Sequence, residues 1–571
     1  MRRVNKGFYF KLARSNVMRS RQVYVPYFLA TAIISGVYFL ILAMIFSPGL
    51  KNVPGGATAQ AMFIAGIVVF TLFAFFFMLY INAFLVKRRK KEFGLYSVLG
   101  MNRRQVARVL KWENLIVVGA GVVAGIALGM ITGRLLFLLL MHMLHAVEGS
   151  TFVLPWYAFA GTALLFFAVF VATSLYNGIR IRVTDTAELL KSDRKGEKES
   201  KAVVPATVFG LLLLGLAYLV AIFSNNMGMA MGLFFPAAFV VIIATYLLFH
   251  AGSIAFLRLL RRNRRLYYQP ENFISISSMF HRMRQNARGL ASICIFSTML
   301  IVTVAGTSSL YLGREKILRE QHPYDLRLSL GDMNVNAYAQ VDELLGTLAA
   351  QHGVELIGSP EKLVTPENAP KNNMGMIVRY ENSKFVQLQH GLVLDDILML
   401  DIKGAEQDGI AFVSAFEDAM LERYGEINGI NDIYSARTDS YGVYGGLLFL
   451  GVFFGVLFLA VTVLMIYFKQ VTEGQEDKER FEILQKVGMQ DEEVKDTINK
   501  QILWVFFLPL IGALMHILAA SNMISKMLEV FSLYDKTLTL GCILVTSAVF
   551  ALVYLIVYRQ TANVYYRMVR R

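Results

Sequence analysis

Charge is scarce inside the long apolar stretches of this chain. Of 571 residues only 17% are Asp, Glu, Lys or Arg, and the middles of the apolar runs hold no carboxylate. Ion-driven secondary transporters need acidic or polar groups near mid-membrane, so that class is disfavoured. Nucleotide signatures are missing too. No Gly-Lys-Ser/Thr occurs, and Gly-Glu-Lys-Glu-Ser at 196–200 does not fit a phosphate-binding loop. Any nucleotide must therefore bind another chain. Hydrolase triads, zinc spacings and paired carboxylates are lacking as well, so neither enzyme activity nor a metal site nor a bound cofactor is expected. The two cysteines, Cys294 and Cys542, fall in apolar runs near opposite membrane faces, which argues against a disulfide.

What is abundant is apolar surface: 56% of residues are hydrophobic and the mean hydropathy is +0.51. Several runs exceed the roughly 18 residues a helix needs to cross hydrocarbon. Ten spans are expected, at 24–46, 61–85, 114–140, 152–176, 203–223, 231–257, 289–312, 444–468, 502–523 and 538–558. The fold class is thus an all-α polytopic membrane protein. Its basic residues set the orientation. Clusters precede the first span (Arg2, Arg3, Lys6, Lys11, Arg14, Arg19, Arg21) and follow the second (Lys87, Arg88, Arg89, Lys90, Lys91). Others follow the fourth and the sixth, all on one side. Both termini are expected in the cytoplasm, the first span acting as an uncleaved signal anchor in the cell membrane.

One hydrophilic segment, 313–440, then lies outside. It holds 11 Lys and Arg against 21 Asp and Glu, a formal charge of −10, which leaves +25 for the rest of a chain whose total is +15. The high net charge reflects membrane topology, and nucleic-acid binding is not expected. Alternation at 324–330, helical spacing at 334–351 and a second short strand at 376–380 make this segment a small α/β domain.

A duplication organises the whole. Phe10, Ser15, Arg19 and Arg21 match Phe273, Ser278, Arg282 and Arg284 at an offset of 263, in stretches read as amphipathic and lying along the membrane surface. Phe93, Gly100, Met101 and Val106 match Phe481, Gly488, Met489 and Val494 at an offset of 388. The two offsets differ by about the length of the outer segment, so the second copy is the first with a domain inserted after its first span. The arrangement is 4+2+4. An interfacial helix (1–23) leads into a four-helix unit (24–177). A cytoplasmic linker (178–202), two linker spans (203–257) and a second linker with interfacial helix (258–288) follow. Span seven (289–312), the outer domain (313–440) and spans eight to ten (441–571) complete the chain.

In each copy a short helix, a glycine and a new helix form an elbow between two spans. Phe93, Tyr96 and Leu99 fall near one face, Gly100 stops the helix in the left-handed region, and Asn102 can cap the next. Such an elbow presents a rigid knob. The first is basic, whereas the second carries Glu473, Glu476, Asp477, Glu479 and Glu482. In span three, Gly121, Gly125, Gly129 and Gly133 form a stripe for close helix packing. A weaker pair, Gly451 and Gly455, stands in span eight. Arg134, near the outer end of span three, either snorkels to headgroups or anchors a lipid phosphate.

The stretch Glu92-Phe-Gly-Leu-Tyr-Ser-Val-Leu-Gly-Met101 resembles the elbow motif of the FtsX-like (MacB-type, type VII) ABC transporter permeases. The 4+2+4 order with an outer domain between spans seven and eight is similar, more narrowly, to the bacitracin-type, BceB-like subfamily, although the domain is shorter than that group usually shows. The resemblance implies a partner ABC ATPase, two copies of which use ATP and Mg. It implies docking at Glu92, Phe93, Tyr96, Gly100 and Met101 and at Phe481, Leu484, Gly488 and Met489. It further implies force sent along spans seven and eight, with no alternating-access channel. The role it suggests is sensing and resisting peptide antibiotics that bind lipid-linked wall precursors, often beside a sensor histidine kinase. Extraction of lipid or lipoprotein, or activation of wall hydrolases, is the alternative.

Overall fold

A computed structural model describes residues 6–51, 53, 55–144, 152–183, 203–262, 264–267, 270–329, 335–358, 376–378, 385–390, 393–424, 430–486 and 491–569. Ten helices among them are long and apolar enough to cross a membrane, and they coincide with the ten runs expected. Helix is what hydrocarbon dictates, because each backbone N–H and C=O must find its partner within the segment.

The first four-helix unit contains α2 (Arg21–Ile45), α4 (Gly56–Arg88), α6 (Arg103–Met143) and α7 (Trp156–Val183). Three short helices serve it: α1 (Lys6–Arg19), α3 (Pro48–Lys51) and α5 (Lys90–Val98). The linker pair is α8 (Val203–Ile222) and α9 (Met227–Leu247). A π-turn at Leu248–Gly252 carries α9 on into α10 (Ser253–Arg262). After α11 (Arg264–Tyr267) comes α12 (Pro270–Gln321), 52 residues and about 78 Å long.

The inserted domain follows with β1 (Leu326–Ser329), α13 (Val335–His352), β2 (Glu355–Gly358), β3 (Met376–Val378), β4 (Phe385–His390), β5 (Val393–Lys403), α14 (Glu406–Tyr424) and β6 (Ile430–Asp432). Its antiparallel sheet runs β3-β4-β5-β1-β6, with β2 added along β5. Leu326 pairs with Leu400 and Leu328 with Leu398. Leu326 and Leu328 are buried in one core with Val341 and Leu345 of α13 and Phe412 and Phe416 of α14. This is the small α/β domain expected from 313–440. The chain then returns through α15 (Ile433–Ser440), a π-turn (Tyr441–Gly445) and α16 (Gly446–Lys486), and ends with α17 (Asp491–Leu528) and α18 (Lys536–Val569).

Both ends of the described chain lie with the first elbow and the last turns of α16 at one end of the bundle, here the terminal end; the sheet domain stands at the other, the domain end. The repeated halves meet along an aromatic seam between α4 and its counterpart α16. Phe63 meets Phe449, Phe70 meets Phe454 and Phe73 meets Phe458, with ring centroids 5.8, 5.5 and 5.1 Å apart. Phe296 of α12 closes the seam against Phe73 and Phe77. The linker pair leans on the second half: Asn522 of α17 donates to the backbone oxygens of Ile222 and Ser224 at 3.0 and 2.9 Å.

The copies differ at two joints. Between α1 and α2 the helix breaks at Ser20, and between α4 and α5 it breaks at Arg89. The corresponding stretches of the second copy run unbroken inside α12 and α16. The second interfacial helix expected from the repeat is therefore the start of span seven itself. Among the described residues of the two stretches, α1 alone stands apart, with Tyr9 and Ala13 buried against Val109 of α6.

Candidate functional site

The elbow at the terminal end is built as its sequence implies. Gly100 has φ +90°, where a side chain is strained, and Met101 N donates back to Tyr96 O at 2.9 Å. Asn102 begins α6, its N–H donating to Gln105 Oε1 at 2.8 Å.

The expected docking residues divide in two. Phe93 does not face outward: it is buried among Val86, Val106, Leu110 and Ile181. Tyr96 and Met101 are half-buried, and the Tyr96 hydroxyl donates to Asn16 Oδ1 of α1 at 3.2 Å. Glu92 turns back onto Arg89 at 2.6 Å. The surface of the knob is instead Leu95, Val98 and Leu99, which are 55%, 64% and 72% exposed. In the second elbow Gly488 and Met489 lie outside the described residues. Phe481 and Leu484 sit on the last turns of α16, with side chains also outside the description. Ile483, the counterpart of Leu95 at the same offset of 388, is 61% exposed. The repeat itself marks this apolar pair, since the two positions are equivalent in the copies. The docking set implied by the resemblance omits it, and Phe93 within that set serves as an internal wedge.

A second feature was not legible. Arg89, one of five consecutive basic residues, is fully buried and pairs with Glu113 of α6 and the Tyr24 hydroxyl of α2. The sequence places the start of span three at 114, with Glu113 just before it; Glu113 is instead buried within the bundle.

At the domain end two rods enter and leave the sheet domain. They pack without spacer: a Cβ on Gly451 would lie 2.2 Å from Thr307 Oγ1, and one on Gly455 2.6 Å from Val304 Cγ2. The pair in span eight thus seats α16 on α12. Arg314 of α12 lies between the rings of Tyr311 and Tyr441, 4.5 and 4.7 Å from their centroids. Arg437 of α15 bonds Glu315 of α12 at 2.8 Å and Glu406 of α14 at 2.6 Å. One guanidinium therefore joins α12 and α15, the helix that leads into α16, to the domain. Asp325 adds a further tie, accepting from Arg319 and from Ile402 N, each at 2.9 Å. Burial pushes the pKa of the nearby His322 imidazole below its ordinary value.

The glycine stripe lies on the first span. A Cβ at Gly125 would stand 2.3 Å from Ala32 O and 2.8 Å from Gly36 N; Gly121 faces Thr31 and Gly129 faces Phe39. Gly133 meets Phe152 and Leu40. Arg134 is exposed on α6 between the strongly exposed Ile131 and Leu135. Among the described residues no group of three His, Cys, Asp or Glu could hold a metal.

Two segments, residues 64–185 and 452–562, match the model of the FtsX-like permease C-terminal family. These are the elbow-bearing parts of the two halves. Over nearly its whole length the chain is also similar to three proteins of Bacillus subtilis strain 168. It is 25% identical to the uncharacterised ABC transporter permease YvcS, covering 91% of this chain and 94% of that protein. It is 24% identical to the ABC transporter permease protein YxdM, covering 90% and 93%. The third is the bacitracin export permease protein BceB, at 21% with 89% and 92% covered.

Proposed function

For this chain, the permease component of an ABC transporter of the FtsX-like type, we propose work by mechanotransmission. A separate ATPase, probed by the two elbows from the cytoplasm, binds and hydrolyses ATP with Mg, and this chain converts its motion into movement of the outer domain. The observation that carries the reading is α16: it runs unbroken from Gly446 to Lys486, and the π-turn and α15 carry it on to the foot of the domain. Its partner rod α12 is longer still, and Arg437 of α15, at the head of the second rod, bonds both α12 and the domain. In this reading both termini are cytoplasmic, in line with the basic clusters, and the chain itself is not catalytic.

The ligand is a peptide antibiotic or the lipid-linked wall precursor it holds. The domain carries a formal −10 on a chain otherwise at +25, so it concentrates cationic peptides at the outer face, with an effect that fades as salt rises. The name of one relative, a bacitracin export permease, points the same way. Arg134 serves a lipid phosphate from the membrane side, and a sensor histidine kinase is the second partner. Excising 325–432 and joining the rods with a flexible linker tests the reading. Basal ATPase activity of the complex should survive and peptide-antibiotic resistance should be lost. Resistance at the original level, in a variant shown to reach the membrane, would sink the claim that this domain recognises the ligand.

A further inference from the structure

The break at Arg89 poses a mechanical problem. A helix that stops and restarts bends under load, and the first elbow hangs from such a break, while the second hangs from a continuous helix. The buried groups around the break resolve it. Arg89 Nη1 reaches Glu113 Oε2 and the Tyr24 hydroxyl, while Nη2 and Nε take Glu92 Oε2 at 2.6 and 2.9 Å. Tyr24 donates to the same Glu113 oxygen at 2.8 Å, and Asn16 Nδ2 donates to Glu113 Oε1 at 2.7 Å. Asn16 Oδ1 accepts from Tyr96 of the elbow. The guanidinium also faces the Tyr24 and Phe93 rings, 5.3 Å from each centroid. Five elements, α1, α2, the break itself, α5 and α6, are thus joined through one buried ion pair.

The second copy lacks the residues for such a cluster. By the repeat offsets Asn16 and Tyr24 correspond to Met279 and Ala287, while Arg89, Tyr96 and Glu113 correspond to Asp477, Leu484 and Gln501. The cluster occurs where the helices break, and its residues are replaced where they do not. A solvated connector would not hold a fully buried arginine, because an unpaired buried charge is strongly unfavourable.

We propose that Arg89, Glu113 and Tyr24 form a clasp that replaces helix continuity in the first half. They are positioning residues. They make the first elbow, α1 and α2 move as one body, so that displacement of the elbow is delivered to the first span and to the membrane-surface helix. The functional half of this statement rests on the elbow being where the ATPase docks; the mechanical half does not.

The test uses the full chain in lipid nanodiscs, with Cys294 and Cys542 replaced by alanine and spin labels at Ser15 on α1 and Ser97 on α5. Wild type should give one narrow distance, unchanged by adding the ATPase and ATP. The double variant Arg89→Met with Glu113→Gln removes both charges together, which avoids stranding one of them. It should reach the membrane and still co-purify with the ATPase, but show a distribution at least twice as broad that shifts with ATP. Arg89→Lys, which keeps the charge, should restore the narrow distance. A double variant as narrow and as insensitive to ATP as wild type overturns the clasp. The distances taken without ATPase judge the clasp alone. Failure of the docking reading would show separately, as normal co-purification of a Leu95→Asp variant.

Discussion

Aspartate at both Leu95 and Ile483 will leave the chain folded in the membrane and abolish its hold on the ATPase. The two positions are equivalent in the repeat and are 55% and 61% exposed. Exposed positions tolerate polar substitution with little change in stability, about 0.5 kcal/mol or less. If each side chain enters an apolar pocket of the ATPase, a carboxylate must be desolvated there without a partner. That costs several kcal/mol, and about 2.8 kcal/mol per site is already a hundredfold in affinity. Two such losses take a complex of ordinary affinity out of reach. Each single variant should weaken co-purification and ATP turnover, and the double should reduce both to background. The opposite charges around the elbows make a further distinction. Leu95→Asp sits beside a basic run and Ile483→Asp beside an acidic one, so raising salt should relieve the second defect more than the first. Normal ATP turnover in the double variant would remove the elbows as docking points.

Valine at Gly125 is expected to be nearly as severe, for a different reason. The added Cβ would meet Ala32 O at 2.3 Å, Gly36 N at 2.8 Å and Ser35 Oγ at 2.0 Å. Two of those are backbone atoms of α2, which cannot rotate away as a flexible side chain can. The helices must separate along the whole contact from Gly121 to Gly133. Overpacking a core typically costs 1–3 kcal/mol, occasionally more, and a backbone-to-backbone crossing lies at the upper end of about that range. The yield of monodisperse protein from membranes should fall several-fold. Gly119 provides the control on the same helix, since a Cβ there would meet nothing within 4 Å. Gly119→Val should purify as wild type. Equal yields for the two variants would mean that the stripe is not a packing seam.

The outline of this molecule was legible because membrane proteins write their topology in composition. Apolar runs, basic clusters and two ordered matches with one inserted segment located the ten helices, the duplication and the domain. The glycines at spacing four announced a close contact, and α2 is its partner. Interior charge was not legible in the same way. Five basic residues in a row, Lys87 to Lys91, read as a topological signal, and no pattern says that the third of them turns inward. The decision is made by Glu113, Tyr24 and Asn16, which are distant in sequence from Arg89 and come near it only once α1, α2 and α6 are packed. A trace did exist in the differences between the copies: positions that are polar in one and Met, Ala or Leu in the other. The aromatic residues of the elbow misled for a related reason. Amphipathic spacing places Phe93, Tyr96 and Leu99 near one face, but it does not say whether a neighbouring helix covers part of that face. Here α6 and α7 bury Phe93, and Leu99 remains outside.

Motion passing from the elbows through α12 and α16 to the sheet domain is read by a single distance. In the complete complex, in lipid, one label is placed at Ile410 on the exposed side of α14 and another at Trp156, also exposed, at the start of α7. The separation should change between the nucleotide-free state and the state held with ATP under conditions that block hydrolysis, and it should return after turnover. An unchanged Ile410 to Trp156 distance in a complex that is demonstrably hydrolysing ATP would contradict it.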